Sequence, residues 1–265
     1  MLPKEEWMFP PKYVIAYPFG GRPVPVDWHL AVRALKMPTN SGITEICTRA
    51  RQGEDGKWKW ALEDAQTHLA EEAIRMKAKY ILFIEDDTAP PPETIMELGR
   101  ILDNSDESVM ACGGIYTTRA KPPEPMVYIN PGEGCFWNWK LGDVFECNYM
   151  GFGCMMLKVK VFELMPRPWF KEIRNSDDLK LYPELFPEEM VRRAGSRMST
   201  DFFFFSKLKD LGLKLLAHGG VLPVHWDVET QTPYWLPKGS PPVKDILVNG
   251  KEYGWTDPSL ELVTA

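Results

Sequence analysis

A fully apolar run, YILFI at Tyr80–Ile84, leads straight into the acidic triplet Glu85-Asp86-Asp87. On an extended segment, positions i and i+2 point the same way, so Glu85 and Asp87 would present two carboxylates to one side. Paired hard oxygen donors at an open site suit Mg²⁺ or Mn²⁺, ions that keep coordination positions for the oxygens of a diphosphate. The same triplet would serve equally as an acidic turn complementing the dipole of the next helix. Two further residues suit the first chemistry. His225 follows a short apolar run after Gly219-Gly220, and an imidazole beside carboxylates favours Mn²⁺ over Mg²⁺; His218 is its rival for that place. Asp201 begins a helical segment whose next four residues are all Phe. It either complements the helix dipole or, ionised against an aromatic wall, acts as general base toward a hydroxyl acceptor.

Such groups need a scaffold that brings them together. Strand-like runs at Tyr13–Tyr17, 43–48, Tyr80–Ile84 and 109–115 alternate with helical segments at 26–35, 60–77 and 93–102. In the first helix Trp28, Leu30, Val32 and Leu35 are the candidate packing residues; in the second, Leu62, Ala65, Leu69, Ala73 and Met76 recur at helical steps. Near-continuous apolar strands between helices predict a mostly parallel α/β sheet covered on both faces, with ligands beyond the carboxyl ends of its strands. The loops after Tyr17 and Thr48, and the acidic triplet, fall on that rim. The second half is less regular. It reads as strands at 127–129 and 143–149, an apolar stretch after Gly151-Phe152-Gly153-Cys154 and a short helix near 160–165. A polar stretch follows through Arg197, then a helix over 200–211 closed by Gly212, and strands at 214–217 and 221–224.

The 265 residues carry 31 Lys+Arg against 37 Asp+Glu, a net charge of −6. That balance argues against a general attraction to phosphate backbones or anionic lipid, while leaving room for a local basic groove around 167–171 and 192–197. An aromatic content of 12% excludes a disordered chain. Five cysteines without a C-x-x-C pair, no apolar leader and no long apolar span lead us to expect a cytoplasmic location.

The ordered set Glu85-x-Asp87 with Thr88-x-Pro90-Pro91, Gly151-x-Gly153-Cys154-Met155-x-Leu157, Pro168-Trp169-Phe170, Thr200-Asp201-Phe202 and a late His225 resembles the GT-A-fold glycosyltransferases. It is most similar to the compact family 2-type enzymes of bacteria and their viruses, over residues 13–226. The resemblance implies a GT-A (Rossmann-like) fold in one catalytic domain, residues 1–230. Its nucleotide-binding half would span about 10–120 and its acceptor-side half 121–230, with 231–265 as a wrap or lid.

By the same resemblance, Glu85, Asp87 and His225 hold the metal, Mn²⁺ or Mg²⁺, and Asp201 is the catalytic base of an inverting transfer from a nucleotide-diphosphate sugar, a UDP-sugar in the first instance. Tyr17, Pro18, Phe19, Arg49, Arg51, Glu85, Asp86, Gly151, Phe152, Gly153 and Trp169 would line the donor site. Trp137, Trp139 and Trp235 are candidates for stacking on sugar or base, and 173–197 for a segment that orders over the substrates. Three departures stand out. Glu85 replaces the first Asp of D-x-D, and Thr200 replaces the Glu of E-D. Gln66-Thr67-His68 stands where relatives have A-R-N, so that Arg49, Arg51 or Lys77 would have to contact the donor phosphates. The acceptor stays open among a glycan, a lipid-linked sugar, a protein, a small molecule and a modified nucleobase. A nucleotidyltransferase, with Phe19-Gly20-Gly21-Arg22 as phosphate loop, and a non-catalytic carbohydrate-binding module are the alternatives.

Overall fold

The computed structural model describes residues 10–19, 21, 23–48, 51–52, 58–59, 61–130, 132–188, 191–192 and 197–236, with 51–52 and 58–59 described as backbone only. In chain order the elements of the first half are β1 (Tyr13–Tyr17), α1 (Val26–Arg33), β2 (Ile43–Cys47), β3 (Arg51–Gln52), β4 (Trp58–Lys59), α2 (Leu62–Arg75), β5 (Tyr80–Ile84), β6 (Thr88–Ala89), α3 (Thr94–Asn104) and β7 (Val109–Gly114). The second half adds β8 (Val127–Tyr128), β9 (Val144–Cys147), β10 (Tyr149–Met150), β11 (Cys154–Lys158), α4 (Val161–Leu164), α5 (Ser176–Lys180), α6 (Thr200–Asp210), β12 (Lys214–His218), β13 (Val224–Asp227) and β14 (Thr232–Tyr234).

The central sheet has seven strands in the order β2-β1-β5-β11-β7-β12-β9. Strands β2, β1, β5, β7 and β12 share one direction, while β11 and β9 run against them. Its middle strands are apolar on both faces because both faces are covered. Along β1 and β5, Val14, Ala16, Ile81 and Phe83 face one core with Leu69 and Ala73 of α2. Tyr13, Ile15, Leu82 and Ile84 face the other, with Trp28 of α1 and Ile95 and Leu98 of α3. The two-residue period of the strands sorts the side chains between the two layers.

Some packing differs from expectation. Leu30 and Leu62 are exposed, at the outer edges of their helices, whereas Trp28, Leu35, Ala65, Leu69, Ala73 and Met76 are buried. The strand expected over 221–224 begins at Val224 rather than ending there, because residues 219–223 form a turn and connector closed by the Val221 N–H to the His218 carbonyl. The stretch 173–197 holds a helix of its own, α5, capped by the Asn175 side chain on the N–H groups of Asp177 and Asp178. A small apolar cluster of Ile173, Leu179, Leu185, Phe186 and Met198 fastens this stretch to Phe203.

Helix α6 positions Asp201, and its boundaries follow local chemistry. The Ser199 hydroxyl accepts the Phe202 N–H, and Gly212, at φ +67°, ends the helix where a Cβ would be strained. The Phe run divides as a helix requires. Phe203 enters the cluster with Ile173, and Phe204 and Phe205 enter the main core beside Phe152. Phe202 stacks on Tyr149. On the same helix the buried Lys207 ammonium donates to the carbonyls of Pro166 and Pro168, tying α6 to the segment that precedes Trp169.

Candidate active site

Because β11 runs opposite to β5, its first residue, Cys154, pairs with the last residue of β5, Ile84. The Gly151-Phe152-Gly153 loop therefore meets the acidic triplet at the carboxyl rim, with the Glu85 N–H donating to the Gly153 carbonyl at 3.1 Å. Beyond the rim, β6 pairs antiparallel with β13, placing Thr88 opposite His225. The Trp226 N–H closes on the Asp87 carbonyl at 2.7 Å. Sheet pairing thus brings a late histidine to an early carboxylate.

Glu85 and Asp87 do not share an extended segment. Strand β5 stops at Ile84, and the chain turns, the Thr88 N–H returning to the Glu85 carbonyl at 3.1 Å. The two-residue rule for strands does not apply across that turn. The backbone of Glu85 is anchored further by the indole N–H of Trp28, which donates to its carbonyl at 2.7 Å. Asp86 and Asp87 are both buried. Among the described residues no group of three or more His, Cys, Asp or Glu forms a metal-ligand cluster. Glu85, Asp87 and His225 are therefore not gathered as a three-ligand cage; what the fold brings face to face is Asp87 and His225.

The geometry of that pair is informative. His225 Nδ1 lies 2.6 Å from the Thr117 carbonyl oxygen, which can only accept, so Nδ1 carries the ring proton. In the neutral ring the Nε2 lone pair then faces Asp87 Oδ2 at 3.6 Å, beyond hydrogen-bond range. Two electron-pair donors opposed across such a gap suit a divalent cation between them, and an imidazole oriented through its other nitrogen is the usual arrangement of a histidine ligand. The donor set, one carboxylate and one imidazole, fits Mn²⁺ or Mg²⁺ with room for further oxygen ligands. The rival His218 is spent elsewhere: its Nδ1 accepts the Gly220 N–H at 3.0 Å and its Nε2 lies 3.5 Å from Glu97 of α3.

Asp201 sits close enough to Asp87 for their charges to interact. Burial, and to a smaller degree that repulsion, pushes its carboxyl from an ordinary 3.8 up to about 6. Opposing the shift are the Thr200 hydroxyl, at 3.2 Å, and the backbone N–H groups of Phe152 and of Asp201 itself. Tyr116, in the loop after β7, stands among all three acids. Burial first, then the charges of Glu85, Asp201 and Asp87, hold its phenol well above 10 and hence neutral. Its hydroxyl accepts the Gly153 N–H at 2.9 Å, and its ring edge meets His225 at 5.2 Å between centroids.

Tyr116 also accounts for the two glycines. A Cβ on Gly151 would overlap its hydroxyl, and one on Gly153 would overlap both it and the Thr88 hydroxyl. Gly151→Ala should therefore cost about 2 kcal/mol of stability by overpacking, partly recovered when combined with Tyr116→Phe. Urea unfolding of the two single variants and the double variant measures this.

The other expected donor contacts are distributed as follows. Tyr17 and Pro18 are buried and Phe19 is half-buried; Tyr17 stacks on Phe19 and meets Trp28 edge-on, and these rings stand at the rim beside the triplet. The Phe152 ring is enclosed by Phe83, Phe170, Phe204 and Phe205, so only its backbone serves the site. Trp169 is not a stacking platform: its ring is buried on Phe162 with Arg167 across its face at 4.1 Å, and its N–H donates to Met165. Trp137 and Trp139 are likewise buried. Lys77 follows α2 and precedes β5, at the rim opposite the acids, so it does not substitute for a phosphate-binding arginine. Arg49 and the Arg51 side chain, Gly20, Arg22, and 237–265 of the expected wrap lie outside the described residues. In the anticipated basic groove, Arg167 pairs with Glu71 at 2.6 Å, and Lys171 lies 3.7 Å from Glu63. Residues 193–196 of that groove lie outside the described set.

Tyr116, Thr117 and Arg119 were missing from the sequence-based list. Arg119 Nη1 lies 3.6 Å from Asp87 Oδ2. The segment Tyr116-Thr117-Thr118-Arg119 carries no motif; its one legible signal was its place directly after an apolar strand, on the ligand rim.

No protein-family model matches the chain, and neither does any curated protein. Among solved structures it is similar to A197 from STIV, at 14% identity and a TM-score of 0.55 over 86% of this chain and 95% of that one. It is also matched to GalNAc-T7 crystallised with UDP, GalNAc and Mn²⁺, at 11% identity and a TM-score of 0.49, over 94% of this chain and 49% of that one. The latter likeness is too low for those ligands to bear on this chain. The architecture is of the GT-A-like α/β class, a mostly parallel seven-stranded sheet flanked by helices. Among the described residues, no helix is long and apolar enough to cross a membrane.

Proposed function

We propose that the chain is a metal-dependent glycosyltransferase that moves a sugar from a nucleotide-diphosphate donor, a UDP-sugar in the first instance, to an acceptor hydroxyl with inversion. The observation that carries this reading is the opposed Asp87–His225 pair, its imidazole oriented by Thr117, beside the half-buried carboxyl of Asp201. Asp87 Oδ2 and His225 Nε2 would hold Mn²⁺ or Mg²⁺. When bound, the ion supplies Lewis-acid neutralisation of charge on the departing diphosphate.

The chain's own residues do the rest. Thr117 and the Tyr116 ring keep His225 aimed at Asp87. Asp201, once ionised, accepts the proton of the attacking hydroxyl, and the Phe152 N–H and Thr200 hydroxyl steady the carboxylate. The glycines at 151 and 153 let the Tyr116 hydroxyl lie against the backbone of their loop. Phe19, half-buried at the rim, offers ring surface for the nucleotide base.

The reading is tested by incubating the protein with a panel of nucleotide sugars and Mn²⁺ and measuring release of nucleoside diphosphate. Release should stop with EDTA. Release that persists in EDTA would remove the metal from the reaction, and pyrophosphate as product would point to nucleotidyl transfer instead.

A further inference from the structure

We infer that Arg119 is an exchangeable cation: it neutralises Asp87 while no metal is held, and turns onto the donor's diphosphate when a metal takes its place. The inference rests on the metal and nucleotide reading above. Its basis is that one oxygen serves two nitrogens. Asp87 Oδ2 lies 3.6 Å from Arg119 Nη1 and 3.6 Å from His225 Nε2. A divalent ion between Asp87 and His225 would draw on the same oxygen as the guanidinium, so the two cations compete for it.

Arg119 is built to yield. Its side chain is 41% exposed while that of Asp87 is 6% exposed, so the acid is fixed and the base stands at the mouth. Asp227, at the end of β13, is close enough for its charge to interact with that of Arg119. A guanidinium fork matches phosphate oxygens and retains its charge at any working pH. Among the described residues, Arg167 is held by Glu71, Lys171 and Arg174 lie against Glu63, and Lys77 is at the opposite rim.

The test compares wild type, Arg119→Ala and Arg119→Lys by two binding measurements. Mn²⁺ alone is followed by the electron paramagnetic resonance of the free ion. Pyrophosphate with Mg²⁺ is followed by calorimetry, standing for the diphosphate without base or sugar. Arg119→Ala should bind Mn²⁺ several-fold more tightly, because a competing charge is gone, and pyrophosphate about tenfold more weakly, because a charge-assisted contact is lost. Arg119→Lys should recover part of the pyrophosphate affinity. A misfolded variant would weaken both, so opposite signs are the signature. Mn²⁺ affinity unchanged or reduced, or pyrophosphate affinity unaltered, overturns the exchange and leaves the metal reading standing. Wild-type protein that binds no Mn²⁺ overturns that reading and the exchange together.

Discussion

Replacing Asp201 by Asn should abolish transfer while making the protein more stable at neutral pH. The amide keeps the shape and the contact with Thr200 but cannot take a proton, so the turnover rate should fall by about 10³, within the range for a positioned general base, with donor affinity unchanged. The stability effect follows from linkage. The folded carboxyl titrates near 6 against 3.8 for an ordinary Asp, so folding favours the protonated form. Its contribution is fully present below 3.8 and lost as pH rises through about 6. The neutral amide escapes that loss. Thermal melts should therefore show Asp201→Asn above wild type at pH 7.5 by several degrees, and the two curves converging near pH 4. Wild-type activity should rise as pH climbs through about 6 for the same reason. Equal turnover in Asp201→Asn would place the base elsewhere, and equal melting temperatures at pH 7.5 would mean the carboxyl is not desolvated in the folded protein.

Asp87→Ala is the second large effect. It removes the carboxylate that faces His225 Nε2 and its hydrogen bond with Thr88. Mn²⁺ affinity should fall by at least about a hundredfold, since one of the two protein ligands is gone, and nucleoside diphosphate release should fall with it. The remaining site also changes in a predictable direction. Asp87 contributes to the raised Asp201 carboxyl, so in Asp87→Ala that carboxyl should titrate lower than in wild type. Carbon-13 resonances of the Asp side chains would follow this shift without any turnover. Metal affinity that survives the substitution would show that Asp87 is not a ligand.

Several pieces were readable before any tertiary information. The buried strands at Tyr13–Tyr17 and Tyr80–Ile84 announced themselves as unbroken apolar runs bounded by Pro18 and by the acidic triplet. Helix α6 carried its own stop at Gly212 and a cap at either Ser199 or Thr200, of which the structure uses Ser199. These are local effects, set by backbone propensity and by which side chains must leave water. From alternation alone it followed that the sheet is mostly parallel.

Side-chain convergence was another matter. That His225 rather than His218 faces Asp87 depends on the pairing of β6 with β13, a long-range register invisible to spacing. Trp169 belonged to a recognisable segment yet packs into the core, because a motif records which residues recur and not which way each side chain points. Glu85 and Asp87 looked like partners on one extended segment until the strand was seen to end between Ile84 and Glu85. The loop holding Tyr116, Thr117 and Arg119 has no pattern at all; its role comes from β7 lying next to the inverted strand β11, whose glycine loop rests against the Tyr116 hydroxyl. Chain order thus determined the layers and the rim on which the acidic triplet lies. Packing of distant strands decided which atoms meet there, since carboxylate and imidazole act over a few ångströms, a scale at which only folded coordinates distinguish one neighbour from another.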